Sequence, residues 1–128
     1  MENPVVNNRS VIITDHAFER MLQVWPHVAR RYERLTKPRQ QLHQMLEEAR
    51  LTPFPTFRAF FREEAYQQYA ECWSCGFLAF ILVPADEQYV LVTVEMSEEG
   101  RERLRRRGRA AGDVYAYIKR PRGEATVG

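Results

Sequence analysis

Two apolar runs on either side of a short turn restrict the fold of this chain more than any other feature. The runs are 77–83 and 89–96, and Pro84-Ala85-Asp86-Glu87 separates them. Each run has the length of a strand and is rich in β-branched and aromatic residues, which favour a sheet. The sequence therefore predicts an antiparallel hairpin of two buried strands.

A short strand and a helix are predicted near the start of the chain. Val11, Ile12 and Ile13 form the strand candidate, and Thr14 or Asp15 can cap the helix that follows. Pro26 is expected to end or kink this helix, although an apolar spacing can carry it on to Leu35. Its predicted apolar stripe comprises Phe18, Met21, Leu22 and Trp25.

A second helix is predicted from about Thr36 to Ala49, and Pro53 limits its extent. Its apolar positions are Leu42, Met45, Leu46 and Ala49. Residues 56–73 fit either a strand or a helix, and their Thr and aromatic content favours the strand.

The chain after the hairpin is predicted to form a short Arg-rich helix and an edge strand. Ser97 starts this helix, Gly108 and Gly112 break it, and residues 114–118 alternate as the strand. The whole order predicts an α+β fold with N-terminal helices packed on an antiparallel sheet. One domain is expected over residues 1–128, with 1–9 as a loose arm and 101–122 as a basic C-terminal segment.

Composition favours a cytoplasmic protein without a membrane anchor. The longest uncharged apolar run, Cys72 to Ala85, is too short to span a bilayer. The first residues lack the basic start and apolar core of a signal peptide. Two cysteines do not make a disulfide framework, which fits a reducing compartment.

Charge is distributed unevenly along the chain. The overall formal charge is +2, but residues 101–122 hold eight Arg and one Lys against Glu102 and Asp113. This segment is a candidate phosphate-binding surface, because Arg forms bidentate contacts with phosphate. The alternatives are a solvated helix and a contact for an acidic protein. The candidate nucleic-acid-binding residues are Arg58, Arg62, Arg101, Arg103, Arg105, Arg106, Arg107, Arg109, Lys119 and Arg120.

His16 and Arg20 stand one turn apart on the first predicted helix, and Gln23 and His27 continue the same polar stripe. A histidine can act as general acid or base at neutral pH, and an arginine beside it can bind phosphate. The alternative is that the stripe is the solvent side of an amphipathic helix.

Cys72 and Cys75 form a C-x-x-C followed by Gly76. Such a turn can supply two ligands to zinc, but a tetrahedral site needs four and no second pair is present in the sequence. A redox role needs the motif to open a helix after a strand. Two structural thiols are therefore predicted, with no metal and no cofactor.

The stretch from Ile12 to Met21 resembles the strand and H-A-x-x-R-M opening of small proteins grouped with the RelE-like toxins. The resemblance implies N-terminal helices on a four-stranded antiparallel sheet, within the fold class of barnase-like and colicin-type ribonucleases. It also implies a basic face that cleaves RNA, often on the ribosome. It carries function onto His16 and Arg20 alone.

Two functions are predicted from these features. The first is an RNA-targeting protein of toxin–antitoxin type, acting as a metal-independent ribonuclease with catalytic residues His16, Arg20 and Glu95 and with phosphate held by Arg58 and Arg62. The second is a non-catalytic regulator, of phage or host type, that docks on nucleic acid or on an acidic protein of a larger machine such as the ribosome or RNA polymerase.

Overall fold

The computed structural model describes residues 2–54, 70–110 and 114. Within these residues the chain forms three helices and a six-stranded mixed sheet, an α+β fold. The helices are α1 (Asp15–Val28), α2 (Pro38–Glu48) and α3 (Glu98–Arg106). The strands are β1 (Val5–Val6), β2 (Arg9–Ile13), β3 (Arg50–Thr52), β4 (Glu71–Cys75), β5 (Leu78–Ala85) and β6 (Gln88–Met96).

The predicted hairpin is confirmed as β5 and β6, the central pair of the sheet. Asp86 and Glu87 form its turn, and Asp86 has a φ of 57°, a conformation that Asp tolerates better than most residues. Ile81 faces Thr93 while Leu82 faces Leu91, so the register shifts by one residue of β6. This β-bulge lets both strands keep their apolar positions on the buried faces.

The sequence had suggested a four-stranded antiparallel sheet, but among the described residues the sheet has six strands and one parallel pair. Its strand order is β1-β2-β6-β5-β4-β3, and β2 pairs parallel to β6, with Val11 opposite Tyr89. The other pairs are antiparallel. A parallel partner is possible for β2 because a long stretch of chain, which includes α1, α2, β3, β4 and β5, precedes β6. A tight turn would impose the antiparallel arrangement.

Helix α1 begins after the predicted cap, Thr14, and ends at Val28 instead of continuing to Leu35. The Thr14 hydroxyl accepts a hydrogen bond from the Ala17 amide at 3.1 Å and donates one to the Leu91 carbonyl at 2.7 Å. The helix passes Pro26 and ends at Val28. Its buried residues are Ala17, Met21, Val24, Trp25 and Val28, so the apolar stripe is rotated from the predicted one and Leu22 is exposed.

The core lies between the helices and one face of the sheet. Met21 and Trp25 of α1 and Leu42 of α2 belong to the same buried cluster as Phe80 of β5 and Leu91 of β6. A smaller cluster on the other face contains Cys72, Ala79 and Ile81. The prediction that two N-terminal helices pack on the sheet is thus confirmed. Within the described part of the chain, no helix is long and apolar enough to cross a membrane.

Three predicted segments differ from the structure or fall outside the described residues. The predicted loose arm, 1–9, contains β1 and the first residue of β2, and Pro4 accepts a backbone hydrogen bond from Val11. Val114, expected in an edge strand, is helical and buried; the strand preference of a β-branched residue depends on its surroundings and does not decide its conformation. The rest of that strand, and residues 56–69 of the 56–73 strand prediction, lie outside the described residues.

Gly100 allows α3 to approach the turn between β4 and β5. A Cβ atom at this position would lie 2.5 Å from the Phe77 carbonyl oxygen. We therefore expect Gly100→Ala to lower the free energy of unfolding by about 1–3 kcal/mol through overpacking. Arg106→Ala, exposed on the same helix, should change it by less than about 0.5 kcal/mol. Urea denaturation would measure both, and equal effects would contradict the close contact.

Candidate nucleic-acid interface

Helix α3 separates acidic from basic side chains along its length. The Ser97 hydroxyl caps it by accepting from the Gly100 amide, and Glu98 and Glu99 occupy the first turn. Arg105 and Arg106 lie in the last turn. This order complements the helix dipole, which is positive at the N-terminus and negative at the C-terminus. Leu104 is fully buried and anchors the helix to the core.

Arg103 differs from the other arginines of α3 because it faces inward and is only 8% exposed. Its two terminal nitrogens donate to the two carboxylate oxygens of Glu33, at 2.6 and 3.2 Å. They also donate to Glu99 and to the Val28 carbonyl. The guanidinium carbon lies 4.7 Å from the centre of the Phe77 ring. Arg103 was predicted to bind nucleic acid, but it is buried and its two terminal nitrogens donate to protein groups, so it is not among the exposed arginines.

The loop at 29–37 joins α1 to α2 and is fixed around Glu33. The Trp25 indole N–H donates to the Glu33 carbonyl at 2.8 Å, and the Arg30 amide donates to the Glu33 carboxylate at 2.6 Å. Because Arg103 binds the same carboxylate, Glu33 joins the loop to α3. The Arg30 guanidinium in turn donates to the Tyr32 hydroxyl at 3.0 Å.

The chain after α3 binds the C-terminal end of α1. Arg107 donates to the His27 and Ala29 carbonyls at 3.1 and 3.3 Å, groups that a helix end leaves without an intrahelical partner. An Arg109 nitrogen lies 3.4 Å from His27 Nδ1. Two basic segments whose contacting residues are 80 and 82 positions apart in sequence are thereby brought together.

We name these residues the arginine surface: Arg30 and Arg31 of the loop, with Arg105, Arg106, Arg107 and Arg109 at the end of α3, all exposed. Arg105 and Arg106 both pair with Glu102. Exposed pairs of this kind contribute at most about 1 kcal/mol, so these arginines can exchange Glu102 for another anion at little cost. Arg101 is less available, because its side chain is mostly buried and pairs with Glu98.

Two ionisable groups beside the arginine surface have shifted pKa values. Burial alone would raise the pKa of Glu33, but hydrogen bonds from the Arg103 side chain and the Arg30 amide outweigh it and hold this pKa below its usual value. Burial and the Arg109 guanidinium lower the pKa of His27. The first shift keeps Glu33 ionised against Arg103, and the second favours a neutral His27 that can accept a hydrogen bond.

The three predicted catalytic residues are not assembled at one place. His16 is exposed at the start of α1, with Arg20 half-buried one turn later. Glu95 is 1% exposed and faces Ala79 across the sheet. Its neighbours in β6, Val94 and Met96, pack in the core cluster of the helices, so Glu95 points to the opposite face of the sheet. The sheet therefore separates Glu95 from His16.

The cysteines are also separated by the sheet. Cys72 and Cys75 both lie in β4, three residues apart, and side chains alternate along a strand. Cys72 belongs to the smaller cluster, whereas Cys75 packs against the core of the helices. The two thiols cannot bind one zinc ion or form a disulfide in this arrangement. Among the described residues, no group of three or more His, Cys, Asp or Glu side chains could hold a metal.

The remaining predicted phosphate ligands, Arg58, Arg62, Lys119 and Arg120, lie outside the described residues. Arg30, Arg31 and Tyr32 were missed, because the sequence was interpreted as a helix that could run to Leu35. The available signals for a basic loop were Pro26, which often ends a helix, and the consecutive arginines Arg30 and Arg31 a few residues later.

A cavity of about 480 Å³ lies at the other end of α3, beside residues of β3 and β4. Its lining includes Thr52, Phe54, Ser74, Glu98 and Glu99. The two carboxylates disfavour a phosphate group there. The cavity is therefore separate from the arginine surface in both position and charge.

Comparisons of the chain with protein-family models, with curated proteins and with solved structures found no match.

The contact between Arg103 and Glu33 should support both stability and its dependence on pH. Arg103→Met leaves Glu33 half-buried without its guanidinium partner, and we expect a loss of about 2–3 kcal/mol in the free energy of unfolding at pH 7. Because the folded-state pKa of Glu33 is depressed, its contribution is complete above the unfolded pKa of about 4.5 and is lost as the pH falls through the folded value.

Urea denaturation at several pH values measures both effects. The wild-type protein should lose stability below about pH 4.5 more steeply than Arg103→Met, in which Glu33 keeps only its interactions with Arg30 to hold it ionised. Arg105→Met is the matched control, because its partner Glu102 is exposed. Equal losses in the two variants would contradict the special role of Arg103.

Proposed function

We propose that the protein binds nucleic acid, with RNA as the target, through the arginine surface. The observation that carries this proposal is the convergence of Arg30, Arg107 and Arg109 around the C-terminal end of α1, although they come from distant parts of the chain. The loop at 29–37 and residues 98–109 together hold ten basic residues and four glutamates. Such a concentration of positive charge attracts the phosphate backbone.

The side chains of the arginine surface suit phosphate in particular. All six exposed cations are arginines, whose planar guanidinium groups can contact two phosphate oxygens at once. Arg107 is held in place by two backbone carbonyls, so part of the conformational entropy cost of binding is already met. The ligand therefore meets a surface that is formed before it arrives.

RNA as the target rests on the resemblance of residues 12–21 to the RelE-like toxins. Cleavage in the manner of those toxins is not included in the proposal. His16 and Glu95 lie on opposite sides of the sheet and cannot reach one phosphodiester together. The proposal is thus the binding of RNA by the arginine surface, without catalysis by the predicted residues.

Fluorescence anisotropy with a short labelled RNA, and with DNA of the same sequence, tests this proposal. The triple variant Arg31→Gln, Arg106→Gln and Arg109→Gln should weaken binding by about tenfold or more at low salt. It should also reduce the slope of log K against log salt by about 2, since each contact with a single strand contributes about 0.7. Arg50→Gln is the control, because Arg50 is exposed on β3 and the substitution removes the same charge. This variant should bind the RNA as tightly as the wild-type protein.

Three results would contradict the proposal. The first is that the wild-type protein binds neither the RNA nor the DNA. The second is that the triple variant binds the RNA as tightly as Arg50→Gln does. Finally, capture of a stoichiometric acidic protein through the arginine surface, unaffected by nuclease and abolished in the triple variant, would assign the surface to a protein partner instead.

A further inference from the structure

Among the residues that the structure describes, Tyr32 is the most exposed large hydrophobic residue, with 72% of its surface accessible. It lies in the loop at 29–37, directly after Arg30 and Arg31 of the arginine surface. We infer that the bound nucleic acid is single-stranded and that one unpaired base stacks on the Tyr32 ring. This inference rests on the proposed function and names the class of ligand that the same surface takes.

The surroundings of Tyr32 restrict its motion without covering its ring. Its hydroxyl accepts a hydrogen bond from Arg30, and the next residue, Glu33, is held by Trp25 and Arg103. The ring therefore extends from a fixed loop. A single exposed aromatic residue is unremarkable on a protein surface, but here the loop is fixed from both sides and a guanidinium group contacts the Tyr32 hydroxyl.

Base stacking on this ring requires a base that is free of its own partners. In a duplex the bases are paired and stacked within the helix, so a surface loop meets mainly phosphates. In a single strand the bases can turn outward and stack on aromatic side chains while arginines contact the backbone. Arg30 and Arg31 directly precede Tyr32, so phosphate contacts and a base contact can be made within neighbouring nucleotides.

A peptide or another apolar ligand is less well suited to this position. Arg30 and Arg31 are both exposed. An apolar partner would remove water from both guanidinium groups and would bring no anion of its own to offset that cost. A nucleotide combines a negative phosphate with an aromatic base, and so matches both features of the loop.

The test compares three probes of equal length: single-stranded RNA, double-stranded RNA and a single strand that carries abasic sites in place of its bases. Wild-type protein should bind the single-stranded RNA about tenfold more tightly than the abasic strand, the typical effect of one stacked base. Tyr32→Ala should lose this difference and leave binding to the abasic strand unchanged. Tyr32→Phe removes the hydroxyl but keeps the ring, and should retain most of the difference.

Leu51→Ala is the matched control, since Leu51 is also an exposed apolar residue but lies on β3. It should bind all three probes as the wild-type protein does, and circular dichroism should show that each variant is folded. If Tyr32→Ala still prefers the strand with bases, the inference is overturned while the proposed function stands. If wild-type protein binds none of the probes, both are overturned, and a preference for the duplex overturns the inference alone.

Discussion

The contact between Arg103 and Glu33 is the interaction on which the basic side of this molecule depends. Arg103 is buried and reaches Glu33, Glu99 and the end of α1 at once. Glu33 in turn holds the loop at 29–37 through Trp25 and the Arg30 amide. Two carboxylates on its terminal nitrogens offset much of the cost of burying this charge, which for an unpaired ion is several kcal/mol. The requirement to satisfy one buried arginine therefore determines where the exposed arginines stand.

The sheet has a comparable effect on the rest of the chain. It separates Glu95 from His16 and Cys72 from Cys75, pairs that the linear sequence could not exclude. One face packs against α1 and α2, and the other carries the smaller cluster with Cys72 and Ile81. Residues of similar chemistry thus have different surroundings solely through the alternation of side chains along strands.

The sequence predicted those elements that depend on local signals. The β5–β6 hairpin, the Thr14 cap, the stripe of α2 and the start of α3 at Ser97 all follow from turn residues, capping residues or apolar spacing. The parallel pairing of β2 with β6 and the inward position of Arg103 were not predicted. Both depend on contacts between distant residues, which periodicity does not encode. Arg103 looks like its neighbours in sequence, and only the position of Glu33 distinguishes it.

Hydrogen–deuterium exchange with and without RNA tests the central claim, that the loop at 29–37 and the end of α3 act as one binding surface. Added RNA should slow the exchange of backbone amides in residues 29–34 and 105–110 together, because both segments contact the same ligand. Amides of β3 should be unaffected. Protection confined to one of the two segments, or centred on His16 at the opposite end of α1, would contradict the account.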